Sequence, residues 1–229
     1  MKRILITNRR YGSTLMHKHI ESANKSEEVI PIRLHPEFFN PNFTSFSIGD
    51  NFSSIELKIN FLEEQRKKGI EYSYKINPID IHNLNLKDWF DEFYKDWEKI
   101  ILHRRNKWNP FLSFVVQNHL GFQDQLDYWP YETTHSTVDD PVEKKIISKL
   151  KPFYITHEDI EFFWYNEDLL NTWDGTKIYL EDHMPDAHNS LCSYFNVSIP
   201  QKIFKIKLDY EKYVLNLAEA KDWFYRYGV

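Results

Sequence analysis

Short apolar runs alternate with longer amphipathic stretches through much of this sequence. Residues 4–6 and 100–102 are continuous apolar runs, which are typical of strands buried on both faces of a sheet. Residues 29–32 and 177–180 show a similar pattern and predict two further strands. Residues 86–97 carry apolar and aromatic side chains at helical spacing, which predicts an amphipathic helix whose aromatic stripe lies in the core.

Capping and helix-breaking residues predict where the helices begin and end. Ser13 or Thr14 opens the first helix, and Pro110 suits the first turn of a later one. The predicted helices cover about 13–23, 54–69, 86–97, 110 onwards, 139–150, 157–171, 185–195 and 210–224. Strands that alternate with helices predict one α/β domain over residues 1–229, with a central parallel sheet covered on both faces.

The net charge, the length of the apolar runs and the cysteine count narrow the class of protein. A formal net charge of −5 argues against a general nucleic-acid binder, which usually has a clear basic excess. No apolar run approaches the roughly 20 residues that a membrane-spanning helix needs, and the N-terminus lacks the apolar segment of a signal peptide. Cys192 is the only cysteine, so neither an internal disulfide nor a cysteine zinc site is expected. We therefore expect a cytoplasmic protein, and the oligomeric state stays open.

The turn after the first strand is the first candidate site. It contains Arg9, Arg10, Tyr11 and Gly12, and Ser13 and Thr14 begin the helix that follows. Backbone N–H groups in such a turn and the dipole of the helix favour an anion, and arginines add charge-assisted hydrogen bonds. The segment is not a Walker motif, because it lacks that motif's lysine and its first glycine. A basic surface turn before a helix would show the same residues.

A second candidate site follows the strand predicted over residues 98–103. Arg105 ends this strand, and Ser113 lies eight residues later on the next predicted helix. A phosphate is bound well by a guanidinium and a hydroxyl that converge from two elements. A polar surface turn with two arginines is the other interpretation.

These features resemble sulfotransferases that use 3′-phosphoadenosine-5′-phosphosulfate (PAPS). Residues 10–14 resemble the loop that binds the 5′-phosphosulfate, and Arg105 with Ser113 resembles the pair that holds the 3′-phosphate. Residues 177–182 and 191–197 resemble a third feature of the family, a strand with a Tyr-Glu-Asp-like ending followed by a helix. The three features occur in the order found in the family.

Residues 35–39, His-Pro-Glu-Phe-Phe, resemble a stretch of the bacterial trehalose 2-sulfotransferase type. The resemblance implies that Glu37 is the general base, a role that suits a carboxylate whose pKa is raised by partial burial. The alternative is a solvated loop glutamate beside two anchoring aromatic residues. The fallback bases are Glu21, His17, His19 and His35. Of these, His17 and His19 are expected on the helix surface.

The resemblance implies a P-loop type three-layer α/β/α fold and in-line transfer of a sulfuryl group from PAPS. The acceptor would be a hydroxyl of a carbohydrate or small metabolite, with PAP as the product and no metal. Arg10 would stabilise charge on the leaving phosphate. Tyr11 departs from the small Ser or Thr usual in the family, and we find no basic C-terminal loop. A P-loop nucleotide kinase and a catalytically silent PAP-binding protein are the alternatives.

Overall fold

The computed structural model describes residues 1–25, 29–31, 38–40, 54–119, 150–199 and 210–228. Contacts divide the chain into two compact units. Unit 1 comprises Met1–Arg105 and Asn166–Ile199, and unit 2 comprises Asn106–Tyr165 and Pro200–Val229. The single domain over residues 1–229 stays a prediction. Among the described helices, none has the length and apolar character needed to span a membrane.

Unit 1 is built around a parallel sheet flanked by helices. The strands are β1 (Arg3–Thr7), β2 (Val29–Pro31), β3 (Glu71–Ser73), β4 (Lys75–Ile76), β5 (Glu98–His103) and β6 (Thr176–Tyr179). The main sheet has the order β4-β1-β5-β6 and all its pairings are parallel. Strands β2 and β3 form a separate parallel pair. This arrangement confirms the predicted α/β class.

Strand β1 lies in the middle of the main sheet. Leu5 pairs with Lys75 of β4 on one side and with Ile100 of β5 on the other. Ile4, Leu5 and Ile6 are fully buried. Successive side chains of a strand point to opposite faces, so both faces of β1 are covered, and its apolar run is continuous rather than alternating.

A single residue, Tyr74, separates β3 from β4. Tyr74 is fully buried, and its ring contacts those of Phe38, Phe39 and Tyr94. When residues 71–76 are counted as one bent strand, the spatial order becomes β2, β3/β4, β1, β5, β6. The sequence pattern did not predict this strand.

In the described part of the chain the α-helices are α1 (Ser13–Lys25), α2 (Ile55–Lys67), α3 (Pro78–Asn83), α4 (Lys87–Phe93), α5 (Trp108–His119), α6 (His157–Asn171), α7 (Ala187–Phe195) and α8 (Leu217–Tyr227). Helix α6 has the predicted bounds. Helix α4 is shorter than the predicted 86–97, since the chain leaves the helical conformation at Tyr94. Phe90, Tyr94 and Trp97 are nevertheless buried, so the aromatic stripe is part of the core as predicted.

Unit 2 has an aromatic core. The rings of Phe111, Phe163 and Phe224, from α5, α6 and α8, contact one another with centroids 4.8 to 5.6 Å apart. The predicted helix over 210–224 begins only at Leu217. Val214, which precedes it, pairs instead with Phe153 in an isolated β-bridge.

Candidate functional site

The turn between β1 and α1 has an unusual backbone. Arg10 has a φ of 67° and Gly12 a φ of 84°. Positive φ is uncommon for a residue with a side chain and persists where the surroundings hold it in place. At Gly12 a Cβ atom would lie 2.7 Å from Cδ2 of Leu180. The conformation therefore favours glycine there, and a Cβ would also require the Leu180 side chain to shift.

Two side chains fasten this turn to α6. The Tyr11 hydroxyl donates to Oε1 of Glu167, and Nδ2 of Asn8 donates to the same oxygen at 2.6 Å. All three residues are buried, and burial raises the pKa of Tyr11, so its hydroxyl keeps the proton. The Tyr11 side chain therefore points into the interior, and only the main-chain atoms of this residue lie at the turn.

Helix α1 begins beside a buried lysine. The Met16 N–H donates to the Gly12 carbonyl at 3.2 Å, whereas the first N–H groups of a helix have no acceptor within it. Lys75 of β4 is only 5% exposed, and its Nζ donates to Oγ of Ser13 at 3.4 Å. An ammonium group and a helix N-terminus are therefore brought together at the carboxyl edge of the sheet, and both favour an anion.

His17 lies one helical turn after Ser13, on the same face of α1. It is 6% exposed, and its Nε2 has no hydrogen-bond partner within the described part of the chain. Burial, and to a lesser extent the charge of Lys75, lowers the pKa of His17 to about 3, so the ring is neutral. The expectation that His17 and His19 lie on the helix surface is wrong, because both are buried.

Asp80 of α3 places a carboxylate near Arg9 of the turn. Its Oδ1 lies 3.6 Å from a terminal nitrogen of Arg9. Burial lowers the pKa of Lys58 to about 8, and the charge of Asp80 opposes that effect. Nζ of Lys58 also donates to the Asn40 carbonyl at 3.2 Å. Arg9 is therefore partly neutralised by a carboxylate of the protein.

The second predicted site lies just beyond β5, which ends at His103. The Arg105 guanidinium donates to both carboxylate oxygens of Asp182, at 2.6 and 2.7 Å, and lies 4.2 Å from the centre of the Tyr179 ring. Arg104 donates to Glu181 at 2.8 Å. Leu180, which directly precedes Glu181, lies against Gly12, so this pair lies near the turn after β1.

The structure brings some of the predicted residues together. Residues 9–14 form the turn and the start of α1, and Arg105 follows β5 at the same edge of the sheet. Ser113 is half-buried on α5 and belongs to unit 2. Glu37 and the fallback base His35 lie outside the described residues.

Sequence reasoning missed Lys75 and Asp80. Lys75 stands among aromatic and apolar residues, between Tyr74 and Ile76, and Asn77 and Pro78 follow directly. A lysine inside a short strand-like run can indicate a functional site, because a buried ammonium group requires polar partners. Strand pairing is needed in addition, since it places Lys75 beside β1.

In chemical terms, this edge offers main-chain N–H groups, a buried ammonium group and arginines to an anionic ligand. His17 adds a neutral imidazole in which Nε2 has no described partner. No protein-family model, no curated protein and no solved structure matches the chain.

Proposed function

We propose that the chain is a PAPS-dependent sulfotransferase that acts on a hydroxyl of a carbohydrate or small metabolite. The observation that carries the proposal is the contact between Lys75 and Ser13 at the N-terminus of α1. It fixes a positive charge where a helix already favours an anion. The choice of donor rests on the resemblance of residues 10–14 and of Arg105 with Ser113 to that family.

The strand order supports the P-loop type three-layer fold that the proposal requires. With residues 71–76 counted as one strand, the chain runs from β1 to one side of the sheet and then returns to β5 on the other. Ligands of open parallel sheets bind outside the carboxyl ends of the strands, where the order reverses. The turn after β1 lies at that position.

The residues present fit an anionic donor. Main-chain groups of the turn and Lys75 would hold the 5′ end, and His17 offers a buried nitrogen with no described partner. Arg105 is assigned to the 3′-phosphate, and Asp182 engages it in this structure. A phosphate at Arg105 must therefore displace a carboxylate, which lowers the expected affinity.

The chemistry needs charge stabilisation and positioning more than covalent catalysis. Arg10 and Lys75 would stabilise negative charge that grows on the leaving phosphate. Glu37 would accept the proton of the acceptor hydroxyl, as the resemblance implies. Of the fallback bases, Glu21, His17 and His19 lie in the described part of the chain, and the low pKa of His17 makes it a weak base.

The test is the binding of PAP, ADP and AMP to wild-type protein and to Lys75→Met. PAP at one hundred times its Kd should stabilise the wild type by about 2.7 kcal/mol, and ADP and AMP much less. Lys75→Met removes the ammonium group and keeps much of the side-chain length. It should weaken PAP binding about 10- to 100-fold, as expected for one charge-assisted hydrogen bond.

Lys99→Met is the matched control, because Lys99 lies on β5 and pairs with Asp91. It should leave PAP affinity unchanged. Equal stabilisation by PAP and ADP, or unchanged PAP affinity in Lys75→Met, would contradict the proposal. Magnesium-dependent binding of ATP in place of PAP would favour a nucleotide kinase.

A catalytically silent PAP-binding protein is the second candidate. The low pKa of His17 favours it, because this buried imidazole beside the proposed anion site is too weak a base to activate an acceptor hydroxyl. Turnover assays with PAPS and a panel of sugars and small alcohols distinguish the two. Tight PAP binding without sulfate transfer to any acceptor would identify the silent protein.

A further inference from the structure

A second group of chemically active side chains lies on the other side of α1 from His17. His19 of α1 faces His188 and Cys192 of α7, which are four residues apart and therefore share one helix face. Ligand atoms of the three residues all lie within 4.8 Å of one another. We propose that His19, His188 and Cys192 bind a zinc ion.

The distances match those of a metal site. Sγ of Cys192 lies 3.5 Å from Nε2 of His19 and 3.7 Å from Nε2 of His188. In tetrahedral zinc sites, with Zn–S near 2.3 Å and Zn–N near 2.0–2.1 Å, a sulfur and a nitrogen ligand are about 3.6 Å apart. Each nitrogen therefore lies at a ligand-to-ligand distance from the sulfur. Nε2 of His188 also contacts the Ile199 carbonyl oxygen at 3.0 Å, and zinc binding would replace this contact.

The surroundings of His19 orient its ring for this role. Nδ1 lies 2.8 Å from the Leu15 carbonyl, to which it can donate its proton. A bond of this kind is the usual outer-shell contact of a metal-binding histidine, because it fixes the tautomer. Nε2 then accepts from the Cys192 thiol, and the His188 carbonyl oxygen lies 3.2 Å from the same nitrogen. Such a collection of acceptors suits a cation.

The ligand set indicates the kind of metal. A thiolate with two imidazoles suits zinc, and three protein ligands leave the fourth position to water. Binding displaces the thiol proton and leaves both imidazoles neutral. His188 and Cys192 are only partly buried, so the ion can enter from solvent. One cysteine is enough, because histidines supply the other two ligands.

The consequence for the fold is a link between α1 and α7 within unit 1. Helix α1 carries Ser13 and His17 at its N-terminal end, so an ion at His19 would hold in place the helix that forms the proposed anion site. This link through the metal does not depend on which donor binds at the proposed anion site. A metal-binding experiment can therefore succeed or fail whatever the outcome for PAP.

The experiment is zinc titration of the full chain after chelator treatment, with competition against a chromophoric chelator. We expect one zinc per chain and a rise in the thermal midpoint. Cys192→Ser and His188→Ala should each weaken zinc binding by more than the roughly 10- to 100-fold that loss of an outer-shell contact causes. Co²⁺ should give a thiolate charge-transfer band that Cys192→Ser abolishes.

His82→Ala is the control, since His82 is an exposed histidine on α3 outside the group. It should bind zinc like the wild type. If Cys192→Ser fails to fold, His188→Ala carries the test. Wild-type zinc affinity in both folded variants, or no stoichiometric zinc binding by the folded wild type, would overturn the proposal. The second result would identify a purely hydrogen-bonded thiol and imidazole group.

Discussion

His17 and His19 lie two residues apart on α1 and have opposite surroundings. An α-helix turns about 100° per residue, so the two side chains point about 200° apart. His17 is buried beside the ammonium group of Lys75, whereas His19 is buried among carbonyl oxygens, a second imidazole and a thiol. The same helix thus presents an anion-favouring face and a cation-favouring face.

The elements packed against α1, not α1 itself, therefore decide what each histidine can do. Burial is the main cause of the low pKa of His17, and Lys75 of strand β4 adds to it. Helix α7 contributes the imidazole and the thiol that face His19. The sequence of α1 offers no means to distinguish the two residues, and both were expected on its surface.

The largest expected effect is the dependence of stability on pH through His17. Its pKa is about 3 in the folded chain and near 6.5 in the unfolded chain. Between these values the unfolded chain binds more protons, so the free energy of unfolding decreases as pH falls from 6.5 towards 3. The loss should be about 2 kcal/mol at pH 5 and approach about 4–5 kcal/mol near pH 3.

Urea unfolding of the wild type and of His17→Gln between pH 7 and pH 4 measures this effect. Glutamine cannot take up a proton, so the variant should lack this part of the slope whatever its stability at pH 7. His157→Gln removes an exposed histidine and should retain the wild-type slope. Parallel slopes for wild type and His17→Gln would remove the contrast between the two faces of α1.

The next effect is a loss in the free energy of unfolding when the turn before α1 is altered. This turn positions the anion-favouring face of α1. Gly12→Ala places a Cβ at positive φ and against Leu180. The conformation costs about 1–2 kcal/mol and the crowding roughly as much again. Gly69→Ala is the matched control, because Gly69 also has positive φ (76°) but its Cβ would meet nothing within 4 Å. Chemical denaturation should show a larger loss for Gly12→Ala, and equal losses would mean that Leu180 moves aside freely.

The sequence predicts those parts of the fold whose signals are local. The apolar runs in β1 and β5 and the bounds of α6 follow from burial and periodicity along a single segment. Residues 71–76 alternate polar and apolar side chains, but the run is only six residues long, and the strand itself breaks at Tyr74. Pairing with β1 and β2 makes them strands.

The candidate site is less predictable because its contacts join distant segments. Tyr11 and Glu167 are separated by 156 positions, and His19 and Cys192 by 173. No local pattern indicates such pairs. The turn itself was predictable from its glycine, its arginines and its place between a strand and a helix. The burial of Tyr11 and the ion pair of Arg105 with Asp182 became evident only from the tertiary structure.

Tyr11→Phe tests how firmly the turn is attached to α6. The variant keeps the buried ring and removes the hydroxyl that donates to Glu167, while Asn8 continues to donate to the same oxygen. A loss of about 1–3 kcal/mol in the free energy of unfolding is expected when a buried acceptor loses one donor. Tyr154→Phe changes a tyrosine that is 63% exposed and should have no measurable effect. Equal stability of the two variants would show that the turn does not depend on this bond.

The smallest effect concerns Asp182, which competes with a phosphate for Arg105. Both side chains are more than half exposed, so their ion pair contributes little to stability. Asp182→Asn removes the carboxylate charge and leaves the guanidinium available, so PAP should bind roughly two- to fivefold more tightly in titration calorimetry. Asp222→Asn is the matched control, because Asp222 forms an exposed pair with Arg226 on α8 and should leave PAP affinity unchanged.

Weaker PAP binding by Asp182→Asn would mean that the carboxylate orients Arg105 for the ligand rather than competing with it. Unchanged binding would place the 3′-phosphate away from Arg105 while leaving the assignment of the 5′ end to Lys75 and the turn intact.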